Sequence, residues 1–367
     1  MIKGKSFLPK VVICLALLVV GIAFVAGCSS SDATSGDEKP YELSFSTWMA
    51  ASTWWYQVDE AWMNRLEEKT DGRLKIIGYP GESLVNQMRI YDGILNGTTD
   101  IGVTGCAYSP GSFPLMEILE MPGIKVNDTV SATFAKWETY KKFAPLEDFA
   151  NTKVIYLGAS APLHLMTKTP IRTVEDFKGK KIRINSNMDG KLVKALGGIA
   201  VDIPTADIYL AMQRGAIDGW WGPPTALEIF KLAEVANAIT IFPYPSSGNF
   251  MWLMNKNVWN SLPADIQKII DQDAEEEQLL AYAQATADAQ NRGVEFALDT
   301  NPGFEVIFFS EEETAKLQNI VNPLLEEWLD EAESKGMQAR DLWNEYKLQV
   351  EKYNEIYPVG AEWWEED

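Results

Sequence analysis

The chain reads as an α/β protein of two domains, with one long helix laid across both. Three observations predict it. Strand and helix patterns alternate from residue 41 onward, the alternation restarts near residue 153, and residues 263–298 hold almost no helix breaker. A helix over that last segment would run roughly 50 Å at 1.5 Å per residue, longer than either half is wide. At roughly 150 residues per domain, the 367 residues leave room for two cores.

The elements follow in order. Residues 41–45 (YELSF) alternate like a half-buried strand. An aromatic loop holds Trp48, Trp54 and Trp55, and Trp55, Val58, Trp62 and Leu66 then fall on one helical face closed by Asp71-Gly72. Residues 74–77 make a second strand, 83–95 a second helix ending at Asn96-Gly97, and 100–103 a third strand. The rhythm resumes with a strand at 153–157 and a short capped helix from Thr173. The strand at 181–184 carries Arg183 on its exposed phase. Helices over 190–196 and 206–214, a turn at Asp218-Gly219 and a returning strand at 250–254 complete the second unit. The apolar residues of 263–298 keep no heptad, which favours a spine laid across both domains over a coiled coil. A strand at 304–309 and helices at 310–335 and 341–353 close the chain.

Composition narrows the chemistry. Hydrophobic residues are 46% and charged residues 23%, the balance of a globular chain. Against 52 acidic residues stand 32 basic ones, a net charge of −20 that argues against nucleic acid, whose phosphates need a basic stripe. His164 is the single histidine, so multi-histidine metal sites are excluded and any catalytic triad would have to be built on that ring. No cofactor or metal is expected.

The beginning of the chain reads as an address. Lys3, Lys5 and Lys10 precede an apolar run at 11–26, the pattern of a secretory signal. Residues 25–28 (VAGC) resemble the lipobox of bacterial lipoproteins, which implies a signal peptide over 1–27, a lipid anchor on Cys28 and attachment to the extracytoplasmic face of a membrane. Residues 28–40 are small and polar and read as a tether. With Cys14 in the leader and Cys28 lipidated, Cys106 is the one cysteine of the body, and it reads as a small buried hydrophobe.

Seven patches then fall in sequence: 72–76 (GRLKI), 79–81 (YPG), 91–101 (YDGILNGTTDI), 110–114 (PGSFP), 176–183 (DFKGKKIR), 211–219 (AMQRGAIDG) and 262–265 (LPAD). Their order and spacing resemble the extracytoplasmic solute-binding proteins of TRAP transporters, the DctP family. The resemblance implies a first domain over 41–158 plus about 249–285 and a second over 159–248 plus about 286–367. The fold it implies is periplasmic binding protein-like, with a ligand cleft between the domains and two strands and the long helix crossing between them. It also implies a monomeric receptor without catalysis that closes on an organic anion. A sodium-driven membrane permease with a small and a large subunit would take the ligand over.

The same resemblance makes Arg183 the partner of the ligand carboxylate, a role that suits a planar, permanently charged guanidinium. Asn185 and Ser186 follow it as hydrogen-bonding residues or as ordinary turn residues. Trp220 and Trp221 stand after Asp218-Gly219, where many relatives carry a Glu, so no metal is assigned. Adjacent residues of a strand face opposite ways, and Trp221 is expected to supply a flat apolar wall. Trp48, Trp54 and the hydroxyl of Tyr108 are expected at the cleft. His164 stands near a second pocket position or, equally, is a core histidine. So many rings suggest an aromatic or bulky acid. The rival readings are a secreted enzyme working through a carboxylate pair and an orphan receptor feeding a sensor.

Overall fold

A computed structural model describes residues 39–357. The expected leader over 1–27, the anchor Cys28 and most of the tether lie outside those residues. Two sheets form two lobes. The first orders its strands β2 (Leu74–Tyr79), β1 (Tyr41–Ser46), β3 (Ile101–Gly105), β10 (Asn249–Asn255), β4 (Thr152–Ala159), with β1 parallel to β2 and β3 and β10 antiparallel to its neighbours. The second runs β11 (Glu305–Phe308), β9 (Ala238–Ile241), β5 (His164–Thr167), β8 (Gly219–Gly222), β6 (Lys181–Arg183), β7 (Ile199–Val201).

Local chemistry sets the helix starts that matter for the cleft. In α1 (Trp54–Lys69) the Thr53 side chain accepts from the Tyr56 amide at 3.3 Å, which places Trp54 and Trp55 in the first turn at the lobe boundary. The helix expected from residue 83 begins later, with a 3₁₀ turn (Gln87–Arg89) leading into α2 (Ile90–Asn96). The Asn86 side chain caps Met88 and Glu82 Oε1 accepts from the Gln87 amide at 2.8 Å, so local acceptors fix the start there. Two helices between the sheets' strands, α3 (Pro114–Ile118) and α4 (Thr129–Phe143), cover the first lobe. The second lobe carries α5 (Asn187–Ala195), α6 (Ile208–Gln213) and α7 (Ala226–Ile229), and α8 (Lys256–Ser261) follows β10.

The chain crosses between lobes four times. Strand β4 runs on through residues 160–163 into β5, and β9 returns through 242–248 into β10. The two crossings are tied to each other, Ser160 N to Gly248 O at 2.9 Å and Leu163 N to Ser246 O at 2.8 Å. The third crossing is the expected spine: α9 (Ala264–Asp273), a π turn (Ala274–Gln278) and α10 (Leu279–Thr300) form one continuous helix of about 55 Å. Ile266, Ile270, Leu279 and Tyr282 enter the first core, while Val294 and Ala297 enter the second with Trp220 and Leu227. The fourth is α11 (Glu311–Ser334), with Leu317 and Val321 in the second lobe and Leu329 and Ala332 in the first.

This fourth crossing changes the expected assignment of 286–367 to the second domain. The last helix, α12 (Ala339–Ile356), packs on α4, and Leu342, Trp343, Tyr346, Val350 and Tyr353 belong to the first core. Its apolar stripe signals burial but not the lobe that receives it.

Candidate functional site

Between the lobes lies a cleft with about 110 Å³ open to the centre of a water-sized sphere, against roughly 10–15 Å³ for one water. Its first-lobe wall is aromatic. Trp48 meets Tyr108 at 4.8 Å and Trp55 at 5.6 Å between ring centroids, Trp54 stacks on Trp55 at 5.8 Å, and Phe250 contacts Trp55 edge-on at 4.5 Å. From the second lobe come Trp220 and Phe230, with Asn185, Ser186, Asp189 and Thr205 as the polar part. Of the expected residues, Trp48, Trp54, Tyr108, Asn185, Ser186 and Trp220 all line the cleft. Trp55 also lines it, besides serving the core face of α1.

Arg183 stands one layer behind. The residue is 7% exposed, at the end of β6. Nε donates to Ile203 O at 3.3 Å, one terminal nitrogen to Thr205 Oγ1 at 3.2 Å and the other to Asn185 Oδ1. Its Cζ lies 5.2 Å from the centroid of the Trp220 ring, within cation–π range. Among the described residues no carboxylate forms an ion pair with it; Asp189 and Asp202 act on it from farther away. Burial therefore pulls its pKa below the ordinary guanidinium value, partly opposed by those charges.

Two expected residues are elsewhere. Trp221 is fully buried in the second-lobe core, its ring 4.4 Å from that of Phe242, because the alternation along β8 gives the cleft to Trp220 and the core to its neighbour. Gly222 lets the Trp220 ring fold back over the strand: a Cβ there would sit 2.4 Å from Trp220 Cε2. His164 is 3% exposed on β5, and Nδ1 accepts from the Phe242 amide at 3.1 Å. It is a core histidine, held neutral by burial that pulls its pKa down to about 3.

The cleft also holds charges that sequence reading missed. Glu120, in the turn after α3, accepts from the Asn249 amide at 2.7 Å, and burial raises its pKa well above the ordinary carboxylate range. Lys136 of α4 is fully buried behind it, donating to Ser247 O at 2.7 Å and Gly248 O at 3.2 Å, with its pKa lowered by desolvation. Asp189 caps the cluster of Asn185 and Ser186, its pKa pushed up to about 6 by burial. Tyr108 rises to about 12 for the same reason, with Arg183 opposing. Among the described residues, four buried polar atoms on the cleft walls lack a partner: Trp54 Nε1, Trp55 Nε1, Ser246 Oγ and Asn249 Oδ1. Orphaned groups at such a place are the sort a ligand satisfies. Among the described residues no group of three or more His, Cys, Asp or Glu side chains is placed to hold a metal, and Cys106 is buried with its pKa raised by burial.

Lobes hinged by shared crossings around a ring-lined, partly unsatisfied cleft are built to enclose a small molecule. The chain belongs to the bacterial extracellular solute-binding protein family 7, DctP, whose model matches residues 45–331. This is a family of transporter substrate-binding proteins. A solute-binding protein of Albidiferax ferrireducens is 29% identical over 208 residues, 54% of this chain and 60% of that one. The monocarboxylate 2-oxoacid-binding periplasmic protein of a Nostoc species is 27% identical over 310 residues, 81% of this chain and 82% of that one. The crystal structure of a TRAP solute-binding protein of Rhodoferax ferrireducens, in complex with copurified benzoate, superposes with a TM-score of 0.78 at 25% identity, covering 86% of this chain and 99% of that one. No helix of the described residues is long and apolar enough to cross a membrane.

Proposed function

We propose that this protein captures an organic acid between its lobes and delivers it to a TRAP-type membrane permease. The observation that carries the reading is Arg183: a buried guanidinium beside the cleft with no carboxylate in ion-pairing distance among the described residues. A buried charge needs a counter-charge, and an entering carboxylate supplies one. Asn185 Oδ1 holds the acceptor position on the guanidinium that a carboxylate oxygen would take. The side chain of Asn185 lines the cleft, so an entering carboxylate oxygen would compete with it for that position. The rings of Trp48, Trp54 and Trp220 favour a flat or bulky acid, in line with the benzoate of the Rhodoferax structure.

Export and anchoring belong to the same reading. The leader over 1–27 is removed, Cys28 carries the lipid, and the acidic body works as a monomer on the extracytoplasmic side of the membrane. Burial raises the pKa values of both Glu120 and Asp189. An acid–base pair instead needs its two pKa values pushed apart, so the enzymatic alternative gains nothing from this pair.

The test is a thermal-shift screen of organic acids, benzoate and pyruvate among them, against wild type and Arg183→Ala. A ligand that binds only the folded state raises the melting temperature. A stabilising acid whose effect disappears in the variant supports the reading; equal stabilisation of both proteins overturns it.

A further inference from the structure

The two walls of the cleft carry opposite functions. The second lobe supplies the cation, Arg183. The first supplies acceptors: Glu120 lines the cleft with intermediate exposure, and the unpartnered Asn249 Oδ1 lies beside it. Glu120 Oε1 takes the Asn249 amide at 2.7 Å, and the Cys106 thiol is its other neighbour in hydrogen-bonding reach. In its ionised form, which the nearby Lys136 charge favours, the carboxylate offers about four lone-pair positions, so acceptor capacity remains on the cleft side. Lys136 does not use it up, since its ammonium is bonded to the Ser247 and Gly248 carbonyls and forms no ion pair with Glu120 among the described residues. Asp189 differs: its Oδ2 already receives both the backbone and side-chain amides of Asn185, at 3.1 and 3.2 Å.

We propose that Glu120 and Asn249 are specificity-determining residues that accept hydrogen bonds from a donor on the ligand, so the preferred ligand is an organic acid carrying a hydroxyl or amino group at the end away from its carboxylate. This rests on the reading that the carboxylate itself goes to Arg183. An acid without the donor strips water from Glu120 without replacing its hydrogen bonds and leaves Asn249 Oδ1 unpaired. A site built around buried acceptors discriminates strongly against such an analogue, because the protein group left unpaired bears the full desolvation penalty. Apolar area alone gives no such preference, since a parent acid and its hydroxylated form bury nearly the same rings.

Titration calorimetry on the folded protein decides it, using matched pairs: benzoate with 3- and 4-hydroxybenzoate and 3-aminobenzoate, and butyrate with 4-hydroxybutyrate. In wild type at least one donor-bearing member binds tenfold or more tighter than its parent. In Glu120→Met that ratio falls to threefold or less, chiefly through weaker binding of the donor-bearing acid. Should that variant not fold, Glu120→Gln, which keeps shape and halves the acceptor capacity, shows the ratio reduced. Ratios within threefold for every pair in wild type overturn the inference, as does a ratio unchanged in the variants. Arg183→Ala separates the two failures. Parent acids that bind in an Arg183-dependent way without donor preference defeat this inference alone, whereas binding indifferent to Arg183 defeats the carboxylate reading beneath it.

Discussion

Arg183 rests its guanidinium on the face of Trp220, Cζ 5.2 Å from the ring centroid, while the indole Nε1 of Trp220 and a terminal nitrogen of Arg183 donate to the same oxygen, Asn185 Oδ1. The indole thus fixes the plane of the guanidinium, and Asn185 keeps one donor direction aimed at the cleft wall. Geometry of this kind suits a bidentate partner and does not suit an ammonium. Arg183→Lys is therefore expected to weaken acid binding by about 10- to 100-fold, near the roughly 1.5–3 kcal/mol of a charge-assisted hydrogen bond. Calorimetry with the acid found by thermal shift checks it; affinity within threefold of wild type would remove Arg183 from the site.

A cleft tryptophan and a core tryptophan make opposite predictions. Trp54→Ala removes a cleft ring and should lower affinity by about tenfold, in keeping with aromatic contacts of roughly 0.5–1.5 kcal/mol beyond their area. Trp221→Phe alters the second-lobe core and should leave affinity within about threefold while lowering stability by about 0.5–3 kcal/mol. Binding and urea denaturation on the same preparations separate the effects.

His164 should leave a signature at acid pH. Its pKa in the folded protein is about 3, below the roughly 6.5 of an unfolded chain. Between those values the unfolded state takes up the proton first, so the stability present above pH 6.5 is progressively lost as pH falls. His164→Leu leaves the Phe242 amide without its acceptor and should cost about 1–3 kcal/mol at pH 8. The deficit should shrink by pH 5, because the variant has no imidazole to protonate. A gap of equal size at both values, measured by urea midpoints, would show that the imidazole does not titrate in this window.

Gly293 marks where the spine meets the second lobe. A Cβ there would lie 2.3 Å from Pro224 O, a backbone atom that cannot swing aside. Replacing a helical glycine by alanine ordinarily gains about 1 kcal/mol, but overpacking costs about 1–3 kcal/mol. Gly293→Ala is expected to be destabilising on balance, and a rise in urea midpoint would contradict that contact.

Cys28→Ser tests the proposed anchor. In cells, the wild-type protein should sediment with membranes and the variant should appear in the soluble extracytoplasmic fraction. Equal partitioning would dissociate Cys28 from anchoring.

Much of the architecture was legible because it depends on periodicity. The Trp55–Leu66 stripe, the strands around Phe45 and Arg183, and the long spine all follow from which residues recur on one face. Which lobe receives a stripe is not encoded locally, and α11 and α12 show it: one is shared between lobes and the other returns to the first. The same limit applies at the site. Alternation along β8 requires Trp220 and Trp221 to part, but only the packing of Phe242 and Phe309 shows that Trp221 turns inward. Glu120 was hidden for a different reason. It lies in a short apolar run, and its place at the cleft depends on an amide contributed by Asn249, 129 residues away.

The four crossings between the lobes also limit how the molecule can move. Two of them are bonded backbone to backbone and two are helices set into both cores. Sliding or twisting one half past the other would break those bonds or expose buried rings, so the soft direction is a rotation about the crossings. A small molecule seated beside them acts with almost no lever arm, yet the far rims of the halves sweep the widest arc. Were a bound acid to draw the halves together, as the proposed function requires, the outline would change most at those rims, where a second protein could detect it by shape.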